Sequence, residues 1–238
     1  MPSNNTRLCQ LDRSLIGSGF RQLVPVSIFV AIFGAAFGLA ATQKGLSHST
    51  TVMMSSLVFA GYAQFAVLDL WGAQMPVLTM IVTVFAINAR HLLMGATLYP
   101  WLRLLSPAKR YGIMTLASDA NWAMSMKAFS REQPGLGLLF GGGLALWLFW
   151  VAGTAIGLYF GSAMSDPKSY GLDMVMGCFL LSMVFEGERS LRMFAIWTVA
   201  AITSLLAHGW LAENSHVIAG AVAGGMMGVL LEGRKNGQ

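Results

Sequence analysis

Long apolar runs separated by short polar connections set the pattern of this chain. The runs cover 24–42, 51–71, 76–101, 111–129, 135–160, 170–185, 191–210 and 215–231. A helix needs about 20 apolar residues, at 1.5 Å each, to cross a hydrocarbon core of about 30 Å. Most of these runs are long enough, and none alternates with the period of two that a membrane barrel strand requires. The pattern predicts an all-α, polytopic helical membrane protein with seven or eight hydrophobic segments. Its expected organisation is a polar N-terminal segment over 1–21, a helical transmembrane domain over 22–231 and a polar tail over 232–238.

Composition agrees and narrows the class. Of 238 residues, 55% are apolar and only 11% charged, with a mean hydropathy of +0.63, whereas about a quarter of the residues in a soluble domain are charged. The net charge of +5 raises the question of nucleic acid. The cations, however, fall in short clusters between apolar runs, where they act as topology signals rather than as a binding stripe. Arg7, Arg13 and Arg21 flank the first run and predict a cytoplasmic N-terminus. That run is long enough to span, so it does not read as a cleavable signal. Cys9 and Cys178 lie in unlike contexts and suggest neither a disulfide nor a metal site, and no cofactor motif is present.

Small residues mark where helices are expected to touch. Gly34 and Gly38 are four apart, Gly61 lies within the second run, and Gly220, Gly224 and Gly228 repeat at every fourth position of the last run. Gly153-Thr154-Ala155-Ile156-Gly157-Leu158 matches Gly34-Ala35-Ala36-Phe37-Gly38-Leu39 at four of six positions, at an offset of 119 residues. An internal repeat with broken or re-entrant helices is a common transporter plan.

The hardest physical problem sits in 76–101, where Asn88, Ala89, Arg90 and His91 interrupt an apolar run near its middle. An arginine at the centre of a bilayer costs roughly 2.5–3.5 kcal/mol on insertion scales, so it is expected to face a polar interior and find a partner. Asp119, in the weakly hydrophobic 111–129 stretch with Ser118, Asn121 and Trp122, is the candidate. Gln64 brings a buried amide to satisfy, and His91 is of a residue type able to carry a coupled proton. The bland alternative makes the arginine a lock between two helices, His91 a packing residue and Asp119 an interfacial carboxylate. Topology is open at this level. If all segments cross, the basic loop around Arg103, Lys109 and Arg110 falls outside; if 76–101 is a re-entrant hairpin around Asn88–His91, it returns inside.

The motifs Phe59-Ala60-Gly61-Tyr62-Ala63-Gln64-Phe65 and Asn88-Ala89-Arg90-His91-Leu92-Leu93-Met94, with the Gly34–Gly38 region, resemble the AzlC family of branched-chain amino acid exporters in content, order and spacing. The resemblance implies a multi-pass permease of the bacterial cytoplasmic membrane that exports leucine, isoleucine, valine and similar amino acids with a small AzlD-type membrane subunit. It is not an enzyme and needs no cofactor. One departure stands out: the family often shows an Asp-Glu pair where this chain has Asp119-Ala120. In the resulting expectation Gln64, Asn88, Arg90, Asp119 and Asn121 bind substrate, and His91 and Asp119 carry a coupled proton. Gly34, Gly38, Gly61, Gly153, Gly157, Gly220, Gly224 and Gly228 pack helices. The rivals are a passive channel and a membrane-embedded enzyme using His91 and Asp119.

Overall fold

The computed structural model describes residues 11–72, 76–161, 190–210 and 215–233. Among them the chain is helical throughout, with no strand. In order the helices are α1 (Arg13–Gln43), α2 (His48–Leu57), α3 (Gly61–Asp69), α4 (Val77–Asn88), α5 (Arg90–Leu102), α6 (Pro107–Met114), α7 (Asp119–Phe129), α8 (Leu136–Gly161), α9 (Leu191–His208) and α10 (Ser215–Gly233). They fall into two units, divided after Val175. Arg7, both cysteines, the 170–185 segment with Asp173, the charged residues Glu186, Glu188 and Arg189, and the Arg234-Lys235 tail lie outside the described residues.

The first unit is built on α1 and α8, which run parallel in close contact along their length. A Cβ on Gly34 or Gly38 would overlap the carbonyl oxygen of Trp150 or Thr154, and one on Gly153 or Gly157 that of Ala31 or Ala35. Each glycine thus lies on the backbone three residues before its counterpart. Gly19 and Gly141, nearer the start of the two helices, meet Leu138 and Ile16 in the same way. Without side chains at these points the backbones approach to a distance no other residue permits, and dispersion along two long helices follows. The six-residue match at an offset of 119 therefore joins two parallel helices across one seam. Helix α1 begins at Arg13, so the polar stretch before the first apolar run is already helical from there.

Two apolar clusters mark the opposite ends of this pair. At the end where α1 and α8 begin, Leu136 and Leu139 pack with Leu98, Leu102, Ile113 and Phe129, and Leu11 lies against them. Toward the other end Phe37 and Ala41 pack with Leu46, Leu68 and Trp150. These clusters fix the course of everything between α1 and α8.

Segment 51–71 does not cross, although it reads as a single span. Ser47 caps α2 at the second end by accepting from the Thr50 amide. The helix runs inward until Ser55 Oγ meets Thr154 Oγ1 at 2.9 Å and Trp147 Nε1 donates to the Ser56 carbonyl at 3.0 Å. Helical geometry then fails over Val58–Ala60, where the Ala60 amide turns back to the Val58 carbonyl. Helix α3 returns to the end it came from, with Phe65 against Phe37 at 5.5 Å between ring centroids and Leu68 in the second cluster. Ten and nine residues give helices of about 15 and 13 Å, half of a crossing each.

The 76–101 segment, in contrast, does cross, and no hairpin forms at Asn88–His91. Ala89 keeps right-handed helical angles, φ −55° and ψ −28°, so α4 and α5 continue in one direction over 26 residues, about 39 Å. They end in the first cluster through Leu98 and Leu102. The 111–129 stretch is a second re-entrant pair, entering from this first end. Ile113 of α6 and Phe129 of α7 both belong to the first cluster, and Ser125 Oγ donates to the Gly135 carbonyl at 3.0 Å. The turn between the helices reaches Gly143, where a Cβ would overlap the Leu116 carbonyl. Among its described residues the first unit therefore holds three crossings and two re-entrant pairs that enter from opposite ends. Arg13, Arg21, Arg103, Lys109, Arg110, Lys127 and Arg131 all belong to the first end, and Lys44 to the second.

The second unit is an antiparallel pair. Gly220 of α10 lies against Ala200 and Ser204 of α9, Gly224 against Ala200 and Gly228 toward Ile196, while Arg192 donates to the Gly228 carbonyl at 2.9 Å. The small-residue stripe thus has its partner within the chain.

Gly157→Ala should destabilise the first unit by about 1–3 kcal/mol or more, because its Cβ has backbone rather than a flexible side chain to displace. Gly17→Ala has nothing within 4 Å and should be neutral or stabilise by up to about 1 kcal/mol. Melting curves of the two purified variants beside the parent chain check both.

Candidate functional site

The α4–α5 crossing carries Arg90 to mid-depth, 13 residues after Val77 and 12 before Leu102, some 18–20 Å of helix from either end. Both re-entrant tips meet it there. Its Nη1 donates to Asp119 Oδ2 at 2.6 Å, and its Cζ lies 4.8 Å from the centroid of the Tyr62 ring. Asp119 is the first residue of α7 and Tyr62 the second of α3, so two helix N-termini converge on one guanidinium. Each terminus adds about half a positive charge. With Arg90 and Asp119 cancelling, the centre retains a positive potential in an apolar surrounding, which favours an anion.

Local sequence explains how each group is held. Ser118 is extended, φ −141° and ψ 171°, and starts α7 with a reciprocal cap. Asn121 Oδ1 accepts from the Ser118 amide at 2.6 Å and its hydroxyl at 3.1 Å, while Nδ2 donates to the Leu116 and Leu139 carbonyls at 2.8 Å. Asn121 is fully buried and all its hydrogen-bonding capacity is used. In this arrangement its bonds close the start of α7, the helix that carries Asp119.

At Asn88–Leu92 the helix tightens. The Leu92 amide bonds to the Ala89 carbonyl at 3.0 Å, one residue short of the α-helical partner. The Asn88 carbonyl is freed and accepts from His91 Nδ1 at 3.1 Å. A carbonyl can only accept, so Nδ1 carries the hydrogen and neutral His91 keeps its lone pair on Nε2. Asn88 Nδ2 donates to the Val84 carbonyl at 3.0 Å, and its Oδ1 is buried without a partner.

Gln64 is fully buried with no partner for either Nε2 or Oε1. Bare polar atoms in an interior cost about 1–3 kcal/mol each. It lies two residues beyond Tyr62 on α3, some 200° around the helix, on the side turned to α8. Of the expected residues, then, Arg90 and Asp119 are in direct contact, Asn88 and His91 bond each other one turn away, and Gln64 flanks the same tip from its far face. Tyr62 and Trp150 were not anticipated. Tyr62 sits inside a motif that was read for its glycine and glutamine, and an aromatic beside a mid-depth cation is a recognisable signal only once the two are known to meet. Trp150 Nε1 is likewise buried and unpartnered.

Comparison with known proteins was made on this basis. Residues 25–164 match the family described as AzlC protein. The chain is 30% identical over 191 residues to the "Branched-chain amino acid transport protein AzlC" of Bacillus subtilis strain 168, covering 78% of this chain and 73% of that protein. It is 26% identical over 197 residues to the "Inner membrane protein YgaZ" of Escherichia coli K12, covering 78% and 80%. An uncharacterized membrane protein of Archaeoglobus fulgidus is 31% identical over 129 residues, 54% of each chain. No solved structure matches. The family match contains α2 to α7 whole, and with them every residue around Arg90.

Because Arg90 and Asp119 answer each other, a double-mutant cycle of Arg90→Ala and Asp119→Ala should return a coupling of about 1–3 kcal/mol, the double variant being more stable than the two single losses imply. Thermal unfolding of the four purified proteins measures it.

Proposed function

The chain belongs to the AzlC family, and from that premise we propose that it exports leucine, isoleucine, valine and related amino acids across a bacterial inner membrane. The observation that carries the reading is Arg90, a mid-depth cation reached by two re-entrant tips whose N-termini leave the centre positive. Discontinuous helices whose N-termini face an anionic substrate group near the midplane are a recurrent device of secondary transporters. The name of the Bacillus subtilis relative supports the substrate class.

In this mechanism Arg90 draws the substrate carboxylate to the tips, and Asp119 balances Arg90. Alternating access follows if the re-entrant pairs shift in turn, one opening toward each end of the α1–α8 pair. His91 Nε2 presents a lone pair beside the site and takes the coupled proton. An enzyme would need a base and a nucleophile in reach of each other. Here Asp119 is committed to Arg90, and the Ser118 hydroxyl donates to Asn121.

Orientation follows from charge. The end that collects Arg13, Arg21, Arg103, Lys109, Arg110, Lys127 and Arg131 is the cytoplasmic one under the positive-inside tendency. A small AzlD-type membrane subunit is the proposed partner.

Two measurements test these statements. In proteoliposomes, Arg90→Ala should reduce leucine counterflow by at least a hundredfold while the variant elutes and melts as a folded protein; unaltered counterflow removes Arg90 from the mechanism. In cells, a cysteine placed at Lys109 should resist an impermeant maleimide added outside, whereas one placed at Lys44 should react. The reverse result inverts the topology.

A further inference from the structure

Arg90 gives Nη1 to Asp119 and keeps Nε buried without a partner, and further donors that could hold a carboxylate stand beside it. The first turn of α3 carries donors. Its N-cap residue is Ala60, with no side-chain cap, and the first helical bond runs from the Gln64 amide to the Ala60 carbonyl. The amides of Gly61 and Ala63 therefore have no acceptor within the helix. The other tip differs: α7 begins with its own carboxylate, Asp119, and with the Ser118–Asn121 closure.

One buried side chain brings further unpartnered atoms to that turn, and a second covers it with an aromatic ring. Gln64 is 0% exposed, with Nε2 and Oε1 both bare. Helical side chains lean toward the N-terminus of their own helix, so its amide covers the turn that Gly61 begins, three residues earlier on the same face. Trp150 is 5% exposed with Nε1 bare. Its ring meets Gly61 through the six-membered edge, where a Cβ would stand 2.9 Å from Cη2, 3.2 Å from Cζ3 and 3.4 Å from Cζ2, so Nε1 lies toward the other end of the indole. At the turn itself three groups are N–H donors, the Gly61 and Ala63 amides and Gln64 Nε2, and one, Gln64 Oε1, is an acceptor. That ratio suits an anionic group with one cationic donor beside it. The surroundings are apolar, since Phe37 and Phe65 both lie against Trp150, at 5.8 and 6.5 Å between ring centroids.

We propose that the first turn of α3, with Gln64 Nε2, seats the α-carboxylate of the transported amino acid, and that Gln64 Oε1 accepts from its ammonium group. The inference rests on the transporter reading and adds a seat to it. Arg90 borders this seat across Tyr62 and supplies potential, while its own hydrogen bond stays with Asp119. Gln64 and Ala63 are buried at this seat, while Gly61 is only partly so.

The test is calorimetric titration of the full-length chain in lipid nanodiscs with leucine and with leucinamide, which lacks the carboxylate. The parent chain should bind leucine and bind leucinamide at least tenfold more weakly. Gln64→Leu should bind leucine at least tenfold more weakly with its melting temperature kept or raised, because an apolar side chain replaces an amide that has no partner. Gln64→Met keeps the length of the side chain and removes the amide; it should lose affinity in the same direction, and it serves if Gln64→Leu does not fold. Leucine affinity within twofold of the parent in both variants, or leucinamide binding as well as leucine, overturns the seat and leaves the transporter reading standing. A parent chain that binds no leucine removes the transporter reading itself, and the seat with it.

Discussion

A guanidinium carried to the middle of a membrane crossing is the constraint around which the first unit is arranged. Arg90 cannot reach either interface from that depth, and hydrocarbon offers it no partner. Protein has to come to it from both sides. A helix that crossed fully would bring only its middle, where backbone groups are already paired. A helix that stops halfway brings a terminus, with free amides, a partial positive charge and room for a capping side chain. The fold uses one such terminus from each end, and Arg90 bonds to the carboxylate on one and lies on the aromatic ring of the other.

That arrangement needs a rigid frame, because half-crossings cannot hold themselves in lipid. The α1–α8 seam provides it. Glycines on each helix lie on the carbonyls of the other, so the two backbones have little freedom to slide. From this frame Trp147 and Thr154 reach the incoming α2, while Gly142 and Gly143 make room for Asn121 and Leu116 at the tip of the α6–α7 pair. The same helix thus supports both tips, and its small residues and hydroxyls are placed where each tip needs them.

Sequence made the class, the special standing of Arg90 and its pairing with Asp119 legible, because each follows from a local cost: too few charges for water, and a charge too deep for lipid. The course of the chain was not legible in the same way. Segment 51–71 has the length and hydropathy of a crossing, and its break at Val58–Ala60 involves no proline; it shows only in the turn that the Ala60 amide makes with the Val58 carbonyl. The break expected at Asn88 was read from polar residues. These tighten the helix by one hydrogen bond, and the helix runs on. Polarity inside an apolar run thus marked the place where partners gather, and the backbone broke in the neighbours that had to reach it. The start of α7 was the readable exception, since Ser118, Asp119 and Asn121 follow the pattern of a helix cap. Even there, Asn121 looked like a free polar group until its four bonds were seen.

The two tips are unequal, and the inequality carries the last step of the argument. The α6–α7 tip is closed on itself by Asn121, tied to α8 by Ser125, and stiffened by Trp101 stacked on Phe129 at 3.8 Å. The α2–α3 tip is tied to α8 through Ser55 and Trp147, but the first turn of α3 has no side-chain cap and Gln64 beside it keeps a bare carboxamide. In an apolar interior such groups raise the energy of the closed arrangement, and whatever satisfies them lowers it by their full desolvation cost. A ligand that does so favours closure about itself, and its departure restores the penalty. The polar atoms that look like a flaw in the packing are, on this account, what makes the closed arrangement depend on its cargo.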